Sequence, residues 1–273
     1  MNKSEARAEI ERLRQELHEH NYRYYVLAQP VISDAEFDRM MAELRRLEEL
    51  YPEFSSPDSP TQRVGGQPLS EFKTVEHRTP MLSLDNTYSY DDLKRFDERV
   101  RKSISSPTYL VQHKIDGVAV SLHYRDGRLV LGATRGDGLR GDDITPTLKT
   151  IGSTPLRLRQ ERPGFQEFEV RGEVYLPRKE FARLNAEREE EGLPVFVNPR
   201  NAAAGTLKLL DPGEVRRRGL QCFVHTVPVS PSSEFEQDSE TLTRPRDLGF
   251  RVAPQGGPLS RTEAAVAYCE AWL

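Results

Sequence analysis

Cysteine is nearly absent from this 273-residue chain: only Cys222 and Cys269 occur, neither in C-x-x-C spacing nor beside a histidine ligand pattern. That excludes a disulfide framework and a protein-built zinc site, and both thiols are expected to be reduced. Long apolar runs are missing too. None approaches the ~20 residues of a membrane span, and the start, Met1 to Ile10, is charged and helical in pattern without the apolar core of a secretory signal. A soluble, cytoplasmic protein without a membrane partner is expected. Basic excess is the third absence. A formal net charge of −4 gives no global attraction to nucleic acid, so any such contact must be local. Arg216-Arg217-Arg218 is one candidate patch, with a solvated turn as the ordinary alternative.

What is present is a chain long enough for one large or two modest domains. Ile10, Leu13, Leu17 and Tyr24 fall at helical spacing, as do Phe37, Met40, Met41, Leu44 and Leu47, which predicts two amphipathic helices joined near Gln29-Pro30. Ser33 with Glu36 reads as a capping box opening the second, placing Asp34 and Asp38 near its first turn, where acids also serve to compensate the helix dipole. Ser55 to Pro60 is a Ser/Pro-rich connector. The division expected is a helical module over 1–70 and a second domain over 71–273. After a helical pattern at Ser89 to Ser103, strands are expected at Tyr109–Lys114, Val118–Tyr124 and Arg128–Thr134, the last two joined by the Asp126-Gly127 hairpin signal. Glu167–Leu176 reads as strand and Pro177–Glu191 as a charged helix stopped by Gly192. Gln221–Val229 returns to strand, Ser230–Glu240 to loop, Leu248–Val252 to a short strand, and Ser260 with Glu263 suggests a capping box for a last helix. Helices and strands alternate without regular βαβ units, so the class is α+β with antiparallel sheets.

Chemistry concentrates at Lys114-Ile115-Asp116-Gly117. A lysine there can act as a covalent nucleophile, and Gly117 lets the backbone turn tightly against a ligand. In extended chain, Lys114 and Asp116 project on one face. Further motifs follow in order: Ala133-Thr-Arg135-Gly-Asp-Gly138, Val170-Arg-Gly-Glu173-Val174 and Asn198-Pro-Arg200-Asn-Ala-Ala-Ala-Gly205. Upstream stand Tyr24-Tyr25, Ile32-Ser-Asp34-Ala35-Glu36-Phe37-Asp38, Asp58-Ser-Pro-Thr-Gln-Arg-Val-Gly65 and Pro80-Met-Leu-Ser83-Leu84-Asp-Asn86.

On these motifs the chain resembles, over essentially its whole length, the adenylation region of bacterial NAD-dependent DNA ligases. The resemblance implies a nucleotidyltransferase domain that uses NAD and Mg²⁺. Lys114 takes AMP from NAD, releasing nicotinamide mononucleotide; AMP then activates the 5′-phosphate of nicked double-stranded DNA, in replication and repair. It implies Arg135 on phosphate or ribose oxygens, Glu173 on a ribose hydroxyl, Ser83 and Leu84 lining the nucleotide pocket, and Gln112 near adenine. Tyr24, Asp34, Ala35, Glu36, Phe37 and Asp38 hold the nicotinamide mononucleotide half, and Arg200 and Lys208 meet DNA or substrate phosphate. A monomer is expected.

A lysine must be neutral to attack phosphorus, against an unperturbed pKa of ~10.4. Desolvation and nearby cations favour that, whereas Asp116 opposes it, so Asp116 is read as a supporting group toward metal or nick. Three positions depart from the family pattern: Gln112 stands for a glutamate, Phe37 for a tyrosine and Lys208 for an arginine. Gln112 accepts from adenine without charge assistance, Phe37 lacks a hydroxyl, and Lys208 meets phosphate only as a point charge. The family's further pocket strands and DNA-encircling domains are expected beyond Leu273, leaving the second domain C-terminally incomplete. The competing readings are a catalytically incomplete NAD-binding or nick-interaction module and, less favoured, an ATP-dependent transferase.

Overall fold

The computed structural model describes residues 2–63, 71–83, 86–87, 89–159, 167–228, 245–253 and 255–271. The expected boundary near residue 70, Leu84 and the Ser230–Glu240 loop lie outside them.

Helix α1 (Lys3–Tyr25) opens on a full capping box: Asn2 accepts from the Glu5 N–H and the Glu5 carboxylate accepts from the Asn2 N–H. Helix α2 (Asp34–Leu50) has only half of one, because Ser33 accepts from the Glu36 N–H with no return bond from the Glu36 side chain. Ile10, Leu13 and Leu17 of α1 pack against Met41, Leu44 and Leu47 of α2. Tyr24 does not continue that stripe. It is 52% exposed, and Asn21 takes the last buried position of α1. The connector is more ordered than its composition suggests: 3₁₀ turns form at Pro52–Phe54 and Pro60–Arg63, and Asp58 and Ser59 between them are buried.

The second region is built on a four-stranded antiparallel sheet, order β4-β3-β6-β7, from β3 (Val118–Arg125), β4 (Arg128–Thr134), β6 (Glu167–Tyr175) and β7 (Gln221–Thr226). Asp126 (φ 48°) and Gly127 (φ 73°) make the two-residue turn of the β3–β4 hairpin, since both central positions require left-handed backbone. Val120, Leu122, Tyr124, Val170 and Val174 carry the sheet's side of one continuous core. Against it lie α4 (Thr145–Thr150), α6 (Pro199–Leu207) and α7 (Pro212–Arg217), with α5 (Arg178–Glu190) ending at Gly192 (φ 69°).

Two smaller sheets flank this one. β1 (Thr74–Glu76) pairs with β5 (Arg140–Asp142), and β2 (Tyr109–Gln112) pairs with β8 (Gln255–Leu259), all antiparallel. Thus the lysine segment does not run on within the main sheet: β2 ends at Gln112 and Lys114 lies on the link to β3. Helices α3 (Tyr90–Arg101) and α8 (Thr262–Glu270) accompany β2 and β8. Two further expectations fail. Leu248–Val252 forms no strand, because Gly249 (φ 100°) turns the chain and only Val252 bridges to Val224. Nor does Ser260 cap α8: the helix starts one residue later, with Arg261 at the cap and no side-chain bond.

Candidate active site

The link from β2 to β3 is anchored at both ends. His113 meets the Tyr268 hydroxyl at 3.2 Å, and Gly117 is buried against β6. A Cβ on Gly117 would stand 2.2 Å from the Val174 carbonyl oxygen, so only glycine lets β3 start this close to β6. Between these anchors Lys114 and Asp116 are both exposed. The register pairs Ala119 with Glu173, which brings the Glu173 carboxylate beside the Gly117 N–H.

Glu173 is the electrostatic centre of the cluster. Burial pushes its carboxyl above the usual carboxylate range, against the pull of Lys114, Arg200, the Gly117 N–H and Arg135. Arg200 comes from the first turn of α6, which begins because Asn198 accepts from the Asn201 N–H and Pro199 fits the first helical position. Its Nη1 lies 3.7 Å from Asp116 Oδ1, both side chains being well exposed; such a pair is weak and yields readily to a phosphate. Behind Glu173, Cys222 is fully enclosed, and burial pushes its thiol up to about 12, so it is no nucleophile.

Arg135 stands at the end of β4, its N–H bonded to the Ala119 carbonyl at 3.1 Å. The turn after it is held by Asp137 Oδ1, which accepts from the Leu139 and Arg140 N–H groups at 2.8 and 2.7 Å. The Met81 N–H donates to the Gly138 carbonyl, and His77 Nε2 lies 3.1 Å from the Arg135 carbonyl, so segment 77–83 is laid along this turn and Ser83 is exposed beside it. Gln112, half-buried at the end of β2, is opposite Gln255.

Other expected residues are not brought together with this cluster. Lys208 follows the last residue of α6, roughly 12 Å along the axis from Arg200. In the helical module, Asp34, Ala35, Glu36 and Asp38 are exposed, Tyr24 packs edge-on against Tyr25 at 4.8 Å, and Phe37 lies against the module's own core. Among the described residues, no hydrogen bond or ion pair joins these to Lys114, Asp116, Arg135 or Glu173. Arg217 and Arg218 of the triple-arginine run pair with Glu214 at the end of a helix, and Arg218 is largely covered, its guanidinium 5.8 Å from the Phe196 ring centre. Sequence reasoning named Arg63 only within the Asp58–Gly65 motif and gave it no role; it is buried with Nη1 and Nη2 donating to the carbonyls of Ile151 and Thr154 at 2.8 and 2.7 Å. Sequence reasoning also overlooked α6 as the element that carries Arg200, although Asn198-Pro199 is a helix-start signal.

A lysine, a half-buried acid and two arginines are gathered at one end of the main sheet, with a helical module ahead of them in the chain. The chain belongs to the NAD-dependent DNA ligases: residues 69–273 match the NAD-dependent DNA ligase adenylation domain, and residues 3–65 the DNA ligase-like N-terminal NAD⁺-binding domain. It is 52% identical over 275 residues to a DNA ligase of Desulforudis audaxviator, covering 100% of this chain and 41% of that protein. Identity to a DNA ligase of Thermotoga neapolitana is 50% over 266 residues, covering 97% of this chain and 38% of that protein. The chain thus spans about two fifths of the length of the curated relatives it matches.

Proposed function

We propose that Lys114 is the AMP acceptor of an NAD-dependent DNA ligase. The observation that carries this reading is that one sheet end gathers these groups: Ala119, paired with Glu173, accepts from the Arg135 N–H, and Arg200 meets Asp116 on the link that bears Lys114. The lysine amine attacks the α-phosphorus of NAD, a P–N bond forms, and the bond to nicotinamide mononucleotide breaks. Arg135 and Arg200 are the cations that meet the phosphoryl oxygens, whose charge spreads as the transfer proceeds. Glu173 accepts from a ribose hydroxyl, Gln112 faces adenine, and Ser83 with Leu84 lines the pocket. Mg²⁺ suits the site, because it needs one or two carboxylates and takes its other ligands from water and substrate phosphate; exposed Asp116 is the carboxylate that would hold it, and it would neutralise phosphate charge.

Residues 1–70 serve as the module for the nicotinamide mononucleotide half through Tyr24, Asp34, Ala35, Glu36, Phe37 and Asp38, and residues 71–273 as the adenylation domain. Carboxylates beside a cationic nicotinamide ring make electrostatic sense and favour NAD over ATP. The chain acts as a monomer, and the second substrate is nicked duplex DNA, with Arg200 and Lys208 on phosphates. Intact-mass measurement after incubation with NAD and Mg²⁺, beside ATP and Mg²⁺, tests this. AMP mapped to another lysine, or ATP as the better donor, would sink the assignment; NAD binding without AMP transfer would leave the non-catalytic reading.

A further inference from the structure

At the hairpin end of the main sheet, opposite the end that holds Lys114, lies a second cleft. β3 spans eight residues, so roughly 25 Å of strand separates the two ends. The cleft, about 490 Å³, runs between α1 with its connector and the 152–159 segment beside the hairpin. Its lining includes His18, Asp58, Arg63, Arg128, Arg157 and Arg159.

Arg63 is the unusual member. Only 7% exposed, it bonds to three backbone carbonyls, of Lys149, Ile151 and Thr154, at 3.2, 2.8 and 2.7 Å, and its Nε has no partner. Among the described residues no carboxylate comes within ion-pair distance of it. A buried cation compensated only by carbonyl dipoles, with one N–H unsatisfied, is a costly arrangement that an anion would relieve. Toward the mouth, Arg128 and Arg157 reach Asp58 Oδ2 at 3.2 and 3.8 Å, and Arg159 pairs with Glu19 while its guanidinium lies 4.0 Å from the Tyr22 ring centre. His18 faces Arg63, Asp58, Arg157 and Arg14; burial, then the arginine charges, press its imidazole down to about 4, so it is neutral.

We infer that this cleft is a second anion site, binding a small phosphate-bearing molecule of mononucleotide size with its phosphate against Arg63, Arg128 and Arg159. Guanidinium forks suit phosphate oxygens, and the volume is within the range of small-molecule sites. A duplex is the wrong shape, because Arg63 lies at the floor, below the reach of a helical backbone. The arrangement owes nothing to the reaction at Lys114.

Calorimetric titration with inorganic pyrophosphate and with AMP tests this, carried out on the Arg135→Ala protein so that the Lys114 site is silenced. Binding should persist in that background and weaken by about tenfold or more when Arg128→Gln and Arg159→Gln are added, both side chains being half-exposed and the fold checked by circular dichroism. The His18 ring, followed by NMR, should gain a proton at higher pH with the probe bound. The tighter of the two probes names the source of the phosphate. No heat with either probe, binding indifferent to the two rim substitutions, or equal competition by a short DNA duplex would overturn the proposal.

Discussion

Lys114 and Glu173 differ in what they do to the protein's stability: the exposed lysine leaves it untouched and the half-buried acid lowers it. Lys114 is exposed, so Lys114→Arg should leave the fold and melting temperature unchanged while abolishing AMP uptake from NAD, read as loss of the adenylated mass. Glu173 is held at a cost. Burial raises its folded-state carboxyl pKa above the unfolded value, so between those two values the native state binds more protons than the unfolded chain, and stability falls as pH rises through that window. The penalty remains at neutral pH and vanishes below the ordinary glutamate range. Glu173→Gln should therefore melt higher than the unsubstituted protein at pH 7, the gap closing in acid, while reaction with NAD is lost. A lower melting temperature at pH 7 would mean that Lys114, Arg200 and Arg135 outweigh the burial. Both residues stood out in the sequence because each sits in a short motif that holds a glycine, Lys114-Ile-Asp-Gly117 and Arg171-Gly-Glu173. The electrostatic centring on Glu173 was not, since it depends on the pairing of β3 with β6.

At the scale of elements, the close start of β3 on β6 fixes the lysine link. Gly117→Ala puts a methyl into the Val174 carbonyl, and the strands must part or the link must shift. Lower stability, by about 1–3 kcal/mol in chemical denaturation, and slower adenylation with Lys114 intact are expected; unchanged values for both would show that the junction is soft. The helical module is the second case. Deleting residues 1–70 removes Arg63 from the carbonyls of Ile151 and Thr154, which water can then reach. The sheet domain should remain folded by circular dichroism with a lower melting temperature, and reaction with NAD should be lost; retained NAD reactivity in the folded truncation would refute the module's role. Long periodic elements such as α1, α2 and the β3–β4 hairpin could be read from sequence, because their pattern and turn chemistry are local. β1 and β5 could not, being three residues each. β8 was hidden by its composition, Gln255-Gly-Gly-Pro-Leu259, which opposes strand propensity and forms only because β2 offers an edge.

For the whole molecule, the net charge of −4 bears on the proposed DNA step. Gripping a duplex around a break takes many phosphate contacts, and the proposed pair, Arg200 and Lys208, would supply few. Given preformed adenylated protein and a singly nicked duplex at physiological salt, residues 1–273 should seal poorly, and the residual activity should fall steeply as salt rises. Sealing on a par with a full-length relative in a gel assay would show that these residues suffice. The pairing of β2 with β8 has a temporal consequence as well. Tyr109 opposes Leu259, so 150 residues must be added after Tyr109, which opens the strand leading into Lys114, before its partner exists. At ribosomal speeds of about 5–20 residues per second, that is a delay of roughly 8–30 s. During it the main sheet can assemble from β3, β4, β6 and β7, but the link bearing Lys114 is tethered at one end only. The nascent chain thus acquires its scaffold first and the second anchor of the Lys114 link last.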